Sequence, residues 1–570
     1  MRQTASGERL IVALLAIFCG VLRAFAYFNY RFDSDEPQHL HVAWGWTAGL
    51  LQYRDIFDNH APLFHMTTAP ILVWVGERPN ALLYMRAPML LLFAVVIWAT
   101  WVLGSRLYST RVGVWSALLL SLFPTFFLKS LEYRTDNLWT AFWCIALVIL
   151  TAGDVTGWRV FVAGLLLGCA MATSMKTSLL ILTLIASGIV TYLFRRRPFR
   201  SALRLILIAV LGTLVVPAII VGYFYVRGAL SNLVYCVITF NELVMSAKAS
   251  RDLWLKRVAY VPELLLVLWI AWLKRPASDD WQVRWRFFLA FGAAFFAATL
   301  VGFWTLISPR DMLPMFPILA IFLAGAIDRL DIRLPLYVGT CLLFAFGVWY
   351  YADHLDMHTD EHITMMRQVL GLTRPEDPII DLKGETIFRR RPYYHIFEFI
   401  TRRAMRRGLV RDTIPEDVVA ARCHVAQADG PFFPPRGRAF LSANFMDMGR
   451  LRASGQWIND DGSFTIAVPG FYVILTKDGE AQGALDGTPY RGQRSLNIGA
   501  HSFVTAGEKQ QLACLWAPAF IRGFSPFHLK DREFNGSPVF RPAHGHLGAS
   551  SRRRRHRGWG SDSASPGVAR

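Results

Sequence analysis

The sequence predicts a polytopic α-helical membrane protein of about eleven transmembrane helices, followed by a soluble α/β plus β-sandwich region. Three observations carry this prediction. Of the 570 residues, 54% are hydrophobic and only 18% charged, with a mean hydropathy of +0.33; soluble domains average about 25% charged residues. The apolar residues fall in runs of about 20, each enough to cross a hydrocarbon core roughly 30 Å thick. From about Ala352 the composition turns polar, and from Gly462 it alternates between apolar and polar positions.

The first span covers about residues 10–27 and lacks a small-residue cleavage site, so it reads as a retained helix rather than a signal peptide. Residues 62–75 are apolar but short and are expected at the membrane interface. A second span covers about residues 82–103 and a third ends near Leu128. The polar turn 129–137 leads into a fourth span ending near Thr151. The apolar stretch from Arg159 to Phe194 is broken only around Lys176, which predicts two spans joined by a tight turn there. The basic loop 195–204 precedes a span over about residues 205–225. Residues 228–257 are mixed and aromatic and are expected to form an external loop; further spans end near Leu273, Ile307, Ile327 and Tyr351.

Charge sets the sides. The net charge of +19 comes from Arg-rich loops and the C-terminal third, so it points to membrane topology and not to nucleic acid. With the N-terminus inside, Arg106, Arg111, Arg159, the 195–204 loop, the 274–286 loop, Arg329 and Arg333 all fall on the cytoplasmic side. The opposite side receives Asp33, Asp35, Glu36, Glu132, Asp136, Lys176, Arg310 and the whole C-terminal region. Ionisable residues gathered at helix ends on one face suit an active site at the membrane surface. A transporter or lipid flippase would more often place them at the midplane of broken helices.

The expected organisation is a transmembrane domain over 1–351, a soluble α/β region over 352–455, a β-sandwich over 456–540 and a disordered basic tail over 541–570. Residues 377–382 read as a buried strand entering a turn, and 392–407 as an amphipathic helix. Pro-Gly and Asp-Gly turns between alternating runs predict a sandwich with Trp516 and Phe471 inside. Five of the seven cysteines lie in or beside apolar runs and read as packing residues; Cys423 and Cys514 could pair in an oxidising compartment.

The candidate site begins at Asp33, Asp35 and Glu36, three carboxylates within four positions at the mouth of the first span. Such charges are costly there unless they are solvated or used. Pro37 suits the first position of a helix, which would make Glu36 its cap and hold Asp35 just outside the positive helix end. Capping alone would account for an acidic group at this place. A second acidic cluster, Glu132 to Asp136, closes the next external turn. Lys176, Arg310 and Arg134 are isolated cations on the same face; each could snorkel to the interface or meet a lipid phosphate. Asp311 could pair with Arg310. Glu36 and His39, spaced i, i+3, could bind a divalent metal, although the ligand number falls short of a site and such histidines are more often hydrogen-bonded. No Gly-rich phosphate loop follows a strand, which argues against a cytosolic nucleotide-sugar site. A sugar-binding or assembly protein, with the β-sandwich as its working part, is a further alternative.

These residues also carry a resemblance. Asp33-Ser-Asp35-Glu36, a juxtamembrane helix, and residues 53–63 with His60-Ala-Pro-Leu63 resemble the first external loop of the GT-C glycosyltransferases, in the protein mannosyltransferase and aminoarabinose transferase branch. Arg134-Thr-Asp136 is similar to the second acidic motif, Met175-Lys176-Thr to a lysine after the fifth span, and Arg310 to Pro317 to a late arginine-and-proline motif. The resemblance covers about residues 10–330. It implies a polyprenyl-phosphate sugar donor, a glycolipid, glycan or protein acceptor, and catalysis among membrane lipids with no required cofactor. Asp35 would act as general base, with Asp33, Glu36 and Asp136 as further catalytic carboxylates. Lys176, Arg310, Arg134 and His60, which stands where relatives have lysine, would hold the lipid phosphate.

Overall fold

The structure, a computed structural model, describes residues 2–195, 199–245, 281–304, 307–352, 359–428, 432–507 and 510–527. The expected span ending near Leu273, most of the 274–286 loop and the tail after 541 lie outside them. Five described helices are long and apolar enough to cross a membrane. They are α1 (Arg2–Asn29), α4 (Ala81–Leu107), α10 (Phe199–Val226), α13 (Trp281–Phe303) and α15 (Arg333–Tyr351). Six more are apolar but shorter. These are α3 (Leu63–Val75), α5 (Thr110–Leu122), α7 (Thr135–Leu150), α8 (Gly157–Met171), α9 (Thr177–Arg195) and α14 (Phe316–Ile327). Between them stand α2 (Asp35–Thr47), α6 (Pro124–Lys129), α11 (Leu230–Val234) and α12 (Phe240–Met245). Leu10, Ile17, Val21, Leu207, Leu211 and Ile219 are exposed on the outer faces of α1 and α10. Apolar surface of that extent is stable against lipid and not against water. Gly164 of α8 meets Gly212 of α10, and Gly168 meets Thr213, so closely that a Cβ added at any of the three glycines would lie 2.4–2.5 Å from a backbone oxygen of the facing helix. This is the close backbone approach that small residues allow between membrane helices.

Two expectations change here and a third holds. The third span does not run to Leu128. Phe123 precedes a proline and is extended, so α5 stops at Leu122 and the chain restarts as α6, which delivers Lys129 to the site. The segment expected as an external loop is helical as far as it is described, with α11, a π-helical turn (Tyr235–Thr239) and α12 in succession. The tight turn at Lys176 is present, between α8 and α9.

The C-terminal region opens with α16 (Thr359–Leu372) and the short strand β1 (Ile379–Ile380), which is buried as expected. The amphipathic helix is shorter than the pattern suggested: only α17 (Phe399–Arg406) is helical, and 392–398 are irregular, with Tyr394 bonding the Tyr53 carbonyl and His395 bonding Tyr235. Then come α18 (Ile414–Ala420), β2 (Val425–Gln427), α19 (Pro435–Asn444), β3 (Phe445–Asp447) and β4 (Leu451–Trp457). The remaining strands are β5 (Ser463–Ile466), β6 (Gly470–Thr476), β7 (Gly479–Glu480), β8 (Gly483–Leu485), β9 (Thr488–Pro489), β10 (Arg494–Leu496), β11 (Gly499–Thr505) and β12 (Ala513–Trp516), closed by α20 (Ala517–Ile521). One sheet has the order β1-β2-β4-β12-β6-β10, with β3 and β7 on its flanks; the other has the order β5-β11-β8-β9. Strand β4 crosses the expected division at 455/456 and joins both parts in a single sheet. Trp516 is buried as expected, but Phe471 is 56% exposed and Tyr472 takes the inward place; strand period 2 sends neighbours to opposite faces. Cys423 and Cys514 are both buried and free.

The sheet is not a loosely tethered appendage. Val473, Leu515 and Trp516 belong to the same buried cluster as Leu40 and Val42 of α2 and Met85 of α4. The segment around α2 is therefore fixed between the apolar helices and the C-terminal sheet.

Candidate active site

The turn before α2 organises the site. Asp33 N–H donates to Glu36 Oε1 (2.8 Å), Asp35 N–H donates to Asp33 Oδ1 (3.1 Å), and Ser34 takes the cap position. Asp35 is therefore the first residue of the helix and Pro37 the third, so the helix starts two residues earlier than expected. Glu36 is therefore not the cap, and its partners lie in the protein rather than in the charged cluster. Its carboxylate is fully buried and receives Arg86 Nε (2.8 Å) and Nη2 (2.5 Å) and the Tyr133 N–H (2.8 Å). Arg86 also donates to the carbonyls of Tyr30 and Arg31. This pair ties α2 to α4 and to the turn before α7.

Asp33 and Asp35 face a group of cations drawn from the whole length of the chain. Arg134 bridges them, through Nη1 to Asp33 Oδ1 (3.0 Å) and to Asp35 Oδ2, and its Nε donates to Asp136 Oδ2 (3.3 Å). Arg310 Nη1 donates to Asp35 Oδ2 (3.1 Å), and its Nη2 lies 3.5 Å from Asp33 Oδ2. Lys383 Nζ donates to Asp35 Oδ1 (2.5 Å) and to Ser34 Oγ (3.0 Å). Lys129 donates to Glu132 (2.5 Å) and stands 3.9 Å from Asp33. Lys176 pairs with Asp311 and stands 3.8 Å from Asp136 Oδ1. Asp311 thus turns to Lys176 and not to its neighbour Arg310, while its other oxygen accepts from Ser308 N–H in a capping box. The side chain of Asp35 is 26% exposed, against 3% for Asp33 and 5% for Asp136. Among these three it is the carboxylate that a ligand can reach. Burial works against its charge, but Lys383, Arg134 and Arg310 outweigh it and hold Asp35 well below the usual carboxylate range. It becomes a stronger base once those cations have another anion to bind.

The expected residues Asp33, Asp35, Asp136, Arg134, Lys176 and Arg310 therefore meet at one end of the helix bundle. Asp35 and Asp136 are linked through Arg134. Two expected residues do not join them. His60 Nδ1 bonds Asp58 Oδ1 (2.8 Å), and its ring packs edge-on to His39. Burial disfavours its proton, but the Asp58 carboxylate outweighs this and raises it. His39 pairs through its Nδ1 with His65 Nε2 (3.0 Å); among the described residues no group of three His, Cys, Asp or Glu side chains could hold a metal ion.

Sequence reasoning missed Arg86, Lys129 and Lys383. Arg86 sits inside an apolar span, and a charge there implies a buried partner. Lys383 gave no such sign. It rides on a turn held by Asp381, whose carboxylate accepts from the N–H groups of Gly384 and Thr386 (both 2.9 Å), from Thr386 Oγ1 (2.7 Å) and from Arg391 Nε (2.6 Å). Gly384 has φ +97° and lies against His41, so close that a Cβ there would be 2.8 Å from the His41 side chain. His41 Nδ1–H in turn donates to the Ile387 carbonyl (2.7 Å). The C-terminal region thus supplies a cation to the turn before α2.

Residues 79–225 match the family model described as dolichyl-phosphate-mannose-protein mannosyltransferase. That stretch contains Arg86, Lys129, Arg134, Asp136 and Lys176. No curated protein sequence matches the chain. Among solved structures, the fold is similar to ArnT from Cupriavidus metallidurans bound to undecaprenyl phosphate, with TM-score 0.57 and 13% identity over 78% of this chain and 97% of that one. It is also similar to ArnT from the same organism in the apo state, with TM-score 0.53 and 13% identity over 79% and 98%. The chain has the GT-C fold.

Proposed function

We propose that this protein, a multi-pass membrane protein of the GT-C glycosyltransferase superfamily by fold, transfers a sugar from a polyprenyl-phosphate donor to an acceptor hydroxyl at the extracytoplasmic face of a bacterial inner membrane. The observation that carries this reading is the partly open Asp35 carboxylate set among Arg134, Arg310 and Lys383, with Lys176 and Lys129 beside them. The assignment of the strongly basic short loops in the sequence to the cytoplasmic side supports the orientation.

In the proposed reaction the acceptor oxygen forms a bond to the anomeric carbon. The bond from that carbon to the phosphate oxygen breaks, and the electron pair leaves with the polyprenyl phosphate. The acceptor proton passes to Asp35, and Asp33 and Asp136 keep Arg134 in place. A single displacement of this kind inverts the anomeric centre. Arg310, Arg134 and Lys176 take up the charge that develops on the phosphate, as fixed cations do in a water-poor site. As these cations turn to the phosphate, Asp35 loses part of its neutralising shell and becomes more basic. No metal is needed for such a leaving group, so turnover is expected to persist in a chelator. The acceptor is a glycolipid, a glycan or a protein.

The test uses purified full-length protein in nanodiscs, with undecaprenyl phosphate binding followed by native mass spectrometry and turnover by release of labelled sugar from a polyprenyl-phosphate sugar. Asp35→Asn should lower turnover by roughly 10²–10⁴-fold while lipid binding is kept. Lys176→Met and Arg310→Met should weaken lipid binding as well as rate. Full turnover in Asp35→Asn, or lipid binding indifferent to both cation variants, would refute the reading.

A further inference from the structure

Beside the charged cluster lies a cavity of about 280 Å³, formed jointly by α2, the loop that follows it and the 383–396 segment. Its lining includes Lys383 but none of Lys129, Arg134, Lys176 and Arg310. Lys383 therefore stands between the cavity and Asp35, to which it donates at 2.5 Å. The lining has a definite chemistry. Gln38 is 1% exposed, and its Nε2 is buried with no hydrogen-bond partner. A buried amide donor left unpaired is costly, and an acceptor atom brought against it would remove that cost. His41 spends its Nδ1–H on the Ile387 carbonyl, which fixes its tautomer and leaves Nε2 as an acceptor. Arg391 is committed to Asp381 and to backbone carbonyls, whereas Arg390 is exposed and contributes a second cation with Lys383. The rings of Tyr393 and Tyr394 complete the wall. Asp55 also lines the cavity, its carboxylate already taken by Arg54 and the Leu51 N–H; the remaining donors, a hydroxyl acceptor, aromatic rings and the Lys383 and Arg390 cations together fit a polyol that carries a negative charge.

We propose that this cavity is the acceptor subsite and that it takes a saccharide bearing an anionic substituent, a phosphate or a carboxylate. The word acceptor rests on the glycosyl-transfer reading above; the binding of an anionic saccharide does not. An anion seated there competes with Asp35 for Lys383. Acceptor binding would thus release the base from one of its three cations at the moment a hydroxyl arrives beside it. The turn built by Asp381 and Gly384 holds the Lys383 backbone at this position.

The experiment uses the full-length protein in nanodiscs and saturation-transfer NMR titrations with glucose 1-phosphate, glucuronate, methyl glucoside and inorganic phosphate. Glucose 1-phosphate and glucuronate should bind, with methyl glucoside and inorganic phosphate each at least tenfold weaker. Gln38→Leu and the surface change Arg390→Glu should each weaken glucose 1-phosphate about tenfold and leave undecaprenyl phosphate affinity unchanged. Equal binding of methyl glucoside would overturn the charge requirement. Equal binding of inorganic phosphate would reduce the cavity to a cation patch. Glucose 1-phosphate binding untouched by both variants would place it elsewhere and overturn the assignment. Undecaprenyl phosphate binding that ignores Lys176→Met would fail the donor reading alone, and it is measured separately from the sugar titration.

Discussion

Removing Glu36 should unfold the site without touching its chemistry. Its carboxylate is fully buried and accepts four hydrogen bonds, two from Arg86 and one each from the N–H groups of Asp33 and Tyr133. Glu36→Ala leaves the Arg86 guanidinium buried in α4 without its bonded carboxylate. Breaking one side of a buried pair costs about 3–5 kcal/mol, because the remaining charge has no compensation. With an unfolding entropy of roughly 2.1 cal/mol/K per residue over the whole chain, that corresponds to a fall in Tm of about 3–4 °C. Membrane helices that stay helical on denaturation reduce that entropy and enlarge the shift. The assay is thermal melting in detergent, read by intrinsic fluorescence, alongside turnover. The double variant Glu36→Leu with Arg86→Met should recover part of the loss, since an apolar pair replaces an orphaned charge. The recovery is incomplete because the carbonyls of Tyr30 and Arg31 and the two N–H groups lose their partners. A Glu36→Ala protein that melts with the wild type yet has lost turnover would refute the argument and return Glu36 to catalysis.

Three further outcomes are expected. Gly384→Ala places a Cβ 2.8 Å from the His41 side chain at φ +97°; it should displace Lys383 and lower turnover at least tenfold, and unchanged turnover would separate the Asp381 turn from function. Burial pushes His424 down to about 4, against 6.5 in an open chain, where it stacks on Trp516 and bonds Ser454. Between those values the unfolded state binds more protons, so stability is full above about pH 6.5 and falls as pH drops toward 4, by a contribution on the order of 3 kcal/mol. Glu385, pushed up to about 7 by burial and by Asp381, works in the opposite direction, so the measurement is the difference in pH-dependent melting between wild type and His424→Gln; parallel curves would sink it. Turnover measured in EDTA should match the untreated enzyme, and its loss, restored by a divalent ion, would require a metal.

Hydropathy and charge placed most of this site before any tertiary contact was known. Runs of about 20 apolar residues fix where the chain can cross lipid. The side on which Arg-rich loops accumulate then fixes which turns share a face. That was enough to put Asp33, Asp35, Asp136, Lys176 and Arg310 together. Pairing was not legible, because charges on one face have many possible partners and side-chain geometry selects among them. Asp311 could have met its neighbour Arg310, but the short 3₁₀ turn (Pro309–Met312) sends it to Lys176, far away in sequence. Glu36 reads in the sequence as a helix cap and further catalytic carboxylate, and only the fold sets the buried Arg86 opposite it. The alternation around Phe471 fixed a strand but not its phase, and pairing with β10 and β12 decided that Tyr472 turns inward. Lys383 shows the limit most plainly. It lies 348 positions from Asp35, in a segment that reads as an ordinary turn after a strand. Only the common core of α2, α4 and the C-terminal sheet brings its ammonium to the carboxylate, and no local pattern records a contact made by the packing of distant elements.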